Sequence, residues 1–377
     1  MPETTAAARP SIHSRPKDWV AIAFLSLTPI IGIFGTALYT WRVGFAPWML
    51  VLLVVMYLLV GISICAGYHR YFSHKTYECA PVVQAFYAVF GAMAAESTIL
   101  DWCAGHRRHH RHVDEDWDPY NIKRGFWWSH ILWIFEKYDP AHDNVPDLLR
   151  NPIVTWQHRW SSWLMIGAGF GLPAAVGWLF GDVWAGLLWG GFLRIVVIHH
   201  TTFFVNSAAH HFGEQSFDRE VSARDNWIVA LLTLGEGYHS FHHRFPGDYR
   251  NGIRWYQWDP AKWFIALLRL VGLAEKLKVT PEDRIESARM TAALAEMQSR
   301  LDGAPHGLAA EVGERLQAAR TALARALELR RRELKARTAG ARRRVRAMRI
   351  LARRELRSAR RHWRDAVRLL AAAPQPA

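Results

Sequence analysis

Two pairs of long apolar runs limit what this chain can fold into. Trp19 to Trp41 is apolar over the length needed to cross a bilayer, with Trp at both ends where interfacial anchors sit. Pro29 is expected to kink it. Phe45-Ala46-Pro47 turns the chain, and Trp48 to about Gly67 forms a second run. Ser161 to Phe180 and Val183 to about Val205 form another pair, joined by the tight Gly181-Asp182 turn. Lipid offers backbone groups no partners, so such runs must be helices that satisfy themselves. The reading is an all-α integral membrane protein with four transmembrane helices in two hairpins. The competing reading is buried helices of a soluble protein.

The stretch from Pro81 to Leu100 is apolar and nearly long enough to cross, but it contains Gln84, Glu96 and Ser97, which are costly in lipid. It is expected to be an in-plane or re-entrant helix under a polar cap. Asn226 to Leu234 reads as a short apolar helix. Orientation follows from Lys and Arg. Ten of them lie between Gly67 and Trp160, whereas the two hairpin turns hold only Arg42. The middle segment and both ends are therefore expected in the cytosol. The domain plan is a disordered lead over 1–18 without a cleavable signal-peptide pattern, a hairpin over 19–67, a cap segment over 68–160, a second hairpin over 161–205, a second cap segment over 206–279 and a helical tail over 280–377.

Charge separates tail from body. The net charge is +14, and residues from Gly303 onward hold 20 Lys+Arg against 6 Asp+Glu, so the preceding part is neutral. The tail is rich in Ala, Arg and Leu and should be strongly helical, broken at Pro305 and Gly340. From Val345, apolar residues recur at Met348, Ala352, Leu356, Ala359, Trp363, Val367 and Leu370, the stripe of an amphipathic helix. It suits either a solvated helix or one lying on anionic headgroups. No base-reading module is visible, so a nucleic-acid partner is not expected. Cys65, Cys79 and Cys103 have no C-x-x-C spacing, which excludes a zinc ribbon or iron–sulfur cluster and gives no reason to expect disulfides.

The chemistry lies in three histidine clusters. His106-Arg107-Arg108-His109-His110 and His239-Ser240-Phe241-His242-His243 share an H-x-x-H-H spacing, and His69 and His74 form a third cluster at the exit of the second run. On a helix, positions i, i+3 and i+4 share a face and are expected to converge on one point. The five-residue interval places His69 and His74 on different helix faces, so they would straddle a site. These eight imidazoles exceed what one tetrahedral ion uses, so two metals are expected. All-nitrogen ligation suits iron, copper or zinc, and redox work on lipid points to iron. Membrane topology places all three clusters on one side, in a cytosolic helical cap with a di-metal histidine site.

The order and placement of these clusters resemble the membrane fatty acid desaturases, most nearly the acyl-CoA delta-9 (stearoyl-CoA) group. Gly67-Tyr68-His69-Arg70, Arg124-Gly125-Phe126-Trp127-Trp128-Ser129-His130 and Gly235-Glu236-Gly237-Tyr238-His239 support the likeness, which spans roughly residues 20–275. It implies a di-iron centre that uses O2 as co-substrate to place a cis double bond, at delta-9, in a saturated acyl chain. It adds His210 as a ninth ligand, from Asn206-Ser207-Ala208-Ala209-His210, with Asn206 acting through a water. It also implies a bent acyl tunnel shaped by Trp102 and Thr202. His211 is not assigned as a ligand, and His112, His130, His199 and His200 fall outside the pattern as structural or supporting residues.

One departure bears on the substrate carrier. The Arg-Asp pair before the second cluster, and an upstream Asn, are replaced here by Ala104, Gly105 and Ser97. The carrier is then either CoA, held by basic residues such as Lys123 and Arg124, or a lipid or carrier protein. The His-Pro-Gly-Gly signature of cytochrome b5 is absent from the sequence, so an external electron donor is implied, such as a ferredoxin with its reductase. Two other readings remain open: a related di-iron alkane or lipid hydroxylase, and a non-catalytic membrane metal-binding or transport protein.

Overall fold

The computed structural model describes residues 15–138, 141–301, 306–338 and 342–372. Four of its helices are long and apolar enough to cross a membrane: Trp19–Val43, Pro47–Ser73, Pro152–Leu179 and Val183–His211. Their outward faces are apolar, with Trp19, Trp41, Trp163, Trp178 and Trp184 largely exposed. All four expected runs are present. Three extend well beyond the bounds that apolar length alone suggested. The third begins at Pro152 because Asn151 caps it, its side chain accepting from Ile153 N at 3.0 Å, and Pro152 occupies the first turn.

Pro29 ends α-helical geometry, and a π-helical segment, Ile30–Gly35, follows it. Small residues set the helix crossings. A Cβ on Gly32 would lie 2.9 Å from Phe192 O, and one on Gly186 would lie 2.3 Å from Pro173 O. Tyr39 donates to Asp182 at 2.7 Å, joining the first long helix to the second hairpin turn.

The stretch 81–100 is not one helix. Pro81–Ala92 is helical, residues 93–98 form a loop, and Thr98 caps a new helix, Ile99–Arg111, by accepting from Asp101 N at 3.2 Å. The loop carries Ala95 and Ser97 at positive φ (56° and 86°), on either side of Glu96. Pro81–Ala92 packs on Ser63–Ser73 and on the start of the third long helix. The short apolar helix expected after Asn226 is Trp227–Leu232, with Asn226 as its cap. A two-stranded antiparallel pair, Glu78–Cys79 with Ala274–Glu275, ties the segment after the second long helix to the segment before the tail.

The expected lead over 1–18 is ordered at its end. Residues 1–14 lie outside the described residues, but Lys137 N donates to Pro16 O at 2.9 Å and Asp18 N to Phe135 O at 2.9 Å. Asp18 also caps the first long helix, accepting from Ala21 N at 3.0 Å. The tail is three helices, Glu282–Leu301, His306–Thr338 and Arg342–Ala372. The breaks expected at Pro305 and Gly340 lie outside the described residues. The tail has its own core, in which Leu356, Ala359, Trp363 and Val367 meet Leu294, Leu316 and Leu323. The apolar stripe of the last helix is therefore covered by the tail and does not face lipid. Cys65, Cys79 and Cys103 are free.

Candidate metal centre

The nine histidines singled out in the sequence form two groups. His69, His74, His106, His110 and His242 make one; His109, His210, His239 and His243 make the other. Within each group the nearest ring nitrogens all lie within 4.8 Å of one another.

Two expectations are corrected here. His69 and His74 do not straddle a site; they belong to the same group. The reason is local: Ser63–Ser73 is π-helical, and His74 N donates to His69 O at 3.1 Å. A backbone bonded from i to i+5 brings residues five apart onto one face. Conversely, neither H-x-x-H-H cluster converges on one point. His106 and His110 turn to the first group and His109 to the second, whereas His239 and His243 turn to the second and His242 to the first. The four segments that carry these histidines interlock, so each H-x-x-H-H helix serves both groups.

The donor chemistry fits a cation in each group. His69 Nδ1 donates to Glu236 Oε2 at 2.6 Å, and His109 Nδ1 to Asp118 Oδ1 at 2.9 Å. His210 Nδ1 donates to Ser222 Oγ at 2.7 Å, and Ser222 in turn donates to Asp114 Oδ1 at 2.6 Å. These bonds hold the proton on Nδ1 and turn the Nε2 lone pair inward. The Nε2 atoms then crowd together: His69 and His242 at 2.9 Å, His239 and His210 at 3.0 Å, His109 and His243 at 3.3 Å. Lone pairs at that spacing repel unless a cation lies between them. Burial, reinforced by neighbouring imidazoles, holds His74, His106, His110, His242 and His243 well below the ordinary imidazole range. These five donors are therefore neutral, as metal ligands must be.

Glu236 anchors this support. Burial pushes its carboxyl up, but the Arg70 guanidinium and the hydrogen bonds from His69 and Arg70 outweigh that and hold it at about 2. Arg70 is fully buried, donates to Glu236 Oε1 at 2.8 Å and lies 2.9 Å from Asp259. The Gly-Glu-Gly-Tyr-His segment already contained Glu236. Asp118, Asp114 and Ser222 were missed, because no local spacing links a carboxylate to an imidazole that folding brings beside it.

An apolar cavity of about 620 Å3 reaches both groups and is walled by His69, His106, His109 and His239. Trp102 and Thr202, which the resemblance assigns to an acyl tunnel, line it, and so does Asn206. Tyr57, Gly61 and Leu234 also line it, together with Asp18 and Ala21 from the first long helix. Glu96 lies in the wall, where Trp102 Nε1 donates to it at 3.4 Å. Burial pushes its carboxyl up to about 8, although hydrogen bonds from Thr202 and Trp102 oppose this. Lys123 and Arg124 are not brought to the cavity. The turn Ile122–Arg124 points outward, Lys123 is exposed, and Arg124 lies over the Trp128 ring. None of His112, His130, His199, His200 and His211 joins either group. His130 bonds Ser207 and His200, and His199 lies 2.8 Å from Ala94 O.

The chain is similar to known proteins over most of this region. The family described as "Fatty acid desaturase" matches residues 46–268. The chain is 44% identical over 239 residues to "Acyl-CoA desaturase 1" of Saccharomyces cerevisiae, covering 62% of this chain and 47% of that one. It is 42% identical over 266 residues to the "Probable acyl-CoA desaturase" of Schizosaccharomyces pombe, covering 70% and 54%. It is 37% identical over 271 residues to "sn-2 palmitoyl-lipid 9-desaturase" of Nostoc, covering 70% of this chain and 91% of that one. The chain spans about half the length of the two yeast relatives. Matched through its helices and its histidine segments alike, the chain belongs to the fatty acid desaturase family.

Proposed function

We infer that this protein is an O2-dependent acyl desaturase that introduces a cis double bond, at delta-9, into a saturated acyl chain. The observation that carries the reading is the continuity of an apolar cavity with two groups of inward-turned imidazoles. His69, His74, His106, His110 and His242 would hold one iron. His109, His210, His239 and His243 would hold the other, with Asn206 acting through a water. Bound iron supplies the O2 activation that removes hydrogen from an unactivated methylene. The protein supplies position. The cavity beside Trp102 and Thr202 keeps one pair of methylenes in register with the metals and excludes water from the chain.

Two hydrogens leave the acyl chain, and two further electrons and two protons enter, so that one O2 becomes two waters. The extra electrons require an external donor, for which a ferredoxin and its reductase fit. The printed names of the relatives include acyl-CoA and acyl-lipid desaturases. Acyl-CoA is the favoured substrate, and Lys123 and Arg124, which lie outside the cavity, could meet only its carrier and not its acyl chain. The cap and both ends are assigned to the cytosol, with the four long helices in a bacterial cell membrane.

Expression in a desaturase-deficient host, with gas chromatography of derivatised lipids, tests the reading. New monounsaturated chains from the intact protein, absent from His242→Ala and His243→Ala versions, are the expected result. Hydroxylated chains would instead favour the hydroxylase reading.

A further inference from the structure

We propose that the arginine-lined groove between tail and cap is the docking surface for a small acidic one-electron carrier protein. The inference rests on the desaturase reading, because that reaction needs electrons from outside.

The groove has a volume of about 600 Å3, and Arg250 and Arg254 of the cap face Arg289, Arg360 and Arg364 of the tail across it. Some of this charge is already matched: Arg250 is bonded to Asp248, and Arg360 is paired with Glu286. Glu282 also lines the groove. Arg254 and Arg364 are exposed and have no carboxylate partner among the described residues. Trp363 Nε1, in the same wall, is buried without a hydrogen-bond acceptor.

The last tail helix extends this surface. Arg342–Ala372 contains twelve arginines against Glu355 and Asp365. Arg346, Arg353, Arg357, Arg361, Arg364 and Arg368 recur at helical spacing and are all exposed. None has a carboxylate partner among the described residues. The apolar side of this helix is used up in the tail core, so the arginine side is what it offers to a partner.

Position favours an electron carrier over other anions. Ile285 and Ala288 of the first tail helix pack on Phe217 and Phe241. Phe241 sits between His239 and His242 in the same short helix. Arg289, in the groove wall, lies over the Phe217 ring, and the Phe217 and Phe241 rings are 5.3 Å apart. A carrier seated in the groove would thus meet Arg289, which is linked through the Phe217 and Phe241 rings to a helix that feeds both histidine groups. It would pass two electrons, one at a time, to the centre, while two protons enter from solvent. Opposed charge would steer that encounter and set its salt dependence.

The test titrates the full detergent-solubilised chain with a plant-type [2Fe–2S] ferredoxin, an acidic carrier. Wild type is compared with an Arg357→Glu/Arg364→Glu variant, whose exposed sites are remote from the cavity wall. The expected result is about tenfold weaker ferredoxin binding and about tenfold higher KM for ferredoxin, with kcat preserved and wild-type binding weakened by salt. Dithionite-reduced methyl viologen should drive both proteins equally. Unchanged binding and KM in the variant would overturn the proposal. So would a variant that loses only its binding to anionic vesicles, which would assign the arginine stripe to lipid headgroups. Failure of wild type to form product with viologen would count against the desaturase reading, and the binding titration would still decide the docking surface.

Discussion

The two histidine groups are built from the same helices but supported differently. The five-imidazole group is tied through His69 to Glu236, Arg70 and Asp259, a fully buried ionic cluster. The four-imidazole group is held by hydrogen bonds without a buried guanidinium, through His109 to Asp118, which also accepts from Asp114 N and Tyr120 N, and through His210 to Ser222, which is bonded to Asp114. The first rests on buried charges that need one another, so disturbing it should disturb folding. The second is adjusted by partners that can be removed one at a time. The difference separates residues that keep the protein folded from residues that tune a site.

The largest effect should come from the ligands themselves. His242→Ala removes an imidazole from the five-residue group and His243→Ala removes one from the four-residue group. Both should abolish product, while metal analysis shows each losing about one of two ions. Loss of both ions from either variant would mean that the groups are not independent sites.

Next comes Glu236→Gln, which leaves Arg70 buried with Asp259 as its remaining carboxylate. Breaking a buried ion pair costs about 3–5 kcal/mol, which thermal unfolding in detergent would register. Asp118→Asn should leave stability nearly unchanged and weaken metal binding in the four-imidazole group by about 10–100-fold. Competition with a chelator measures this. Equal unfolding losses in the two variants would erase the distinction between the groups.

The smallest effect concerns Glu96. In the unfolded chain its carboxyl ionises near about 4.3; in the folded protein it stays protonated up to about 8. The folded state therefore holds a proton that the unfolded state has lost. Its contribution to stability is full below the unfolded value and is lost as pH rises through about 8. Glu96→Gln should flatten that slope and leave turnover at pH 7 within about twofold, since a protonated carboxyl and an amide present similar groups there. Unfolding followed against pH checks both.

Much of this was legible because it is local. Apolar length marked the four long helices, and the histidine spacings marked eight of the nine residues in the two groups, His210 coming from the resemblance. Helix boundaries shifted where a cap outweighed composition, as Asn151 did for the third long helix. Lys123 and Arg124 lie outside the cavity, on a turn whose facing charge alone does not reveal.

The sequence by itself determined the residue types and their periodicity: four bilayer-length helices, clustered imidazoles and a basic helical tail. Tertiary structure decided the assignment of each imidazole. A π-helical segment brought His69 and His74 onto one face, and the approach of neighbouring segments split each H-x-x-H-H cluster between two groups. It also decided that the tail's apolar stripe faces its own core. Periodicity fixes only which side of a helix a residue occupies. What that side meets depends on contacts between segments far apart in the chain.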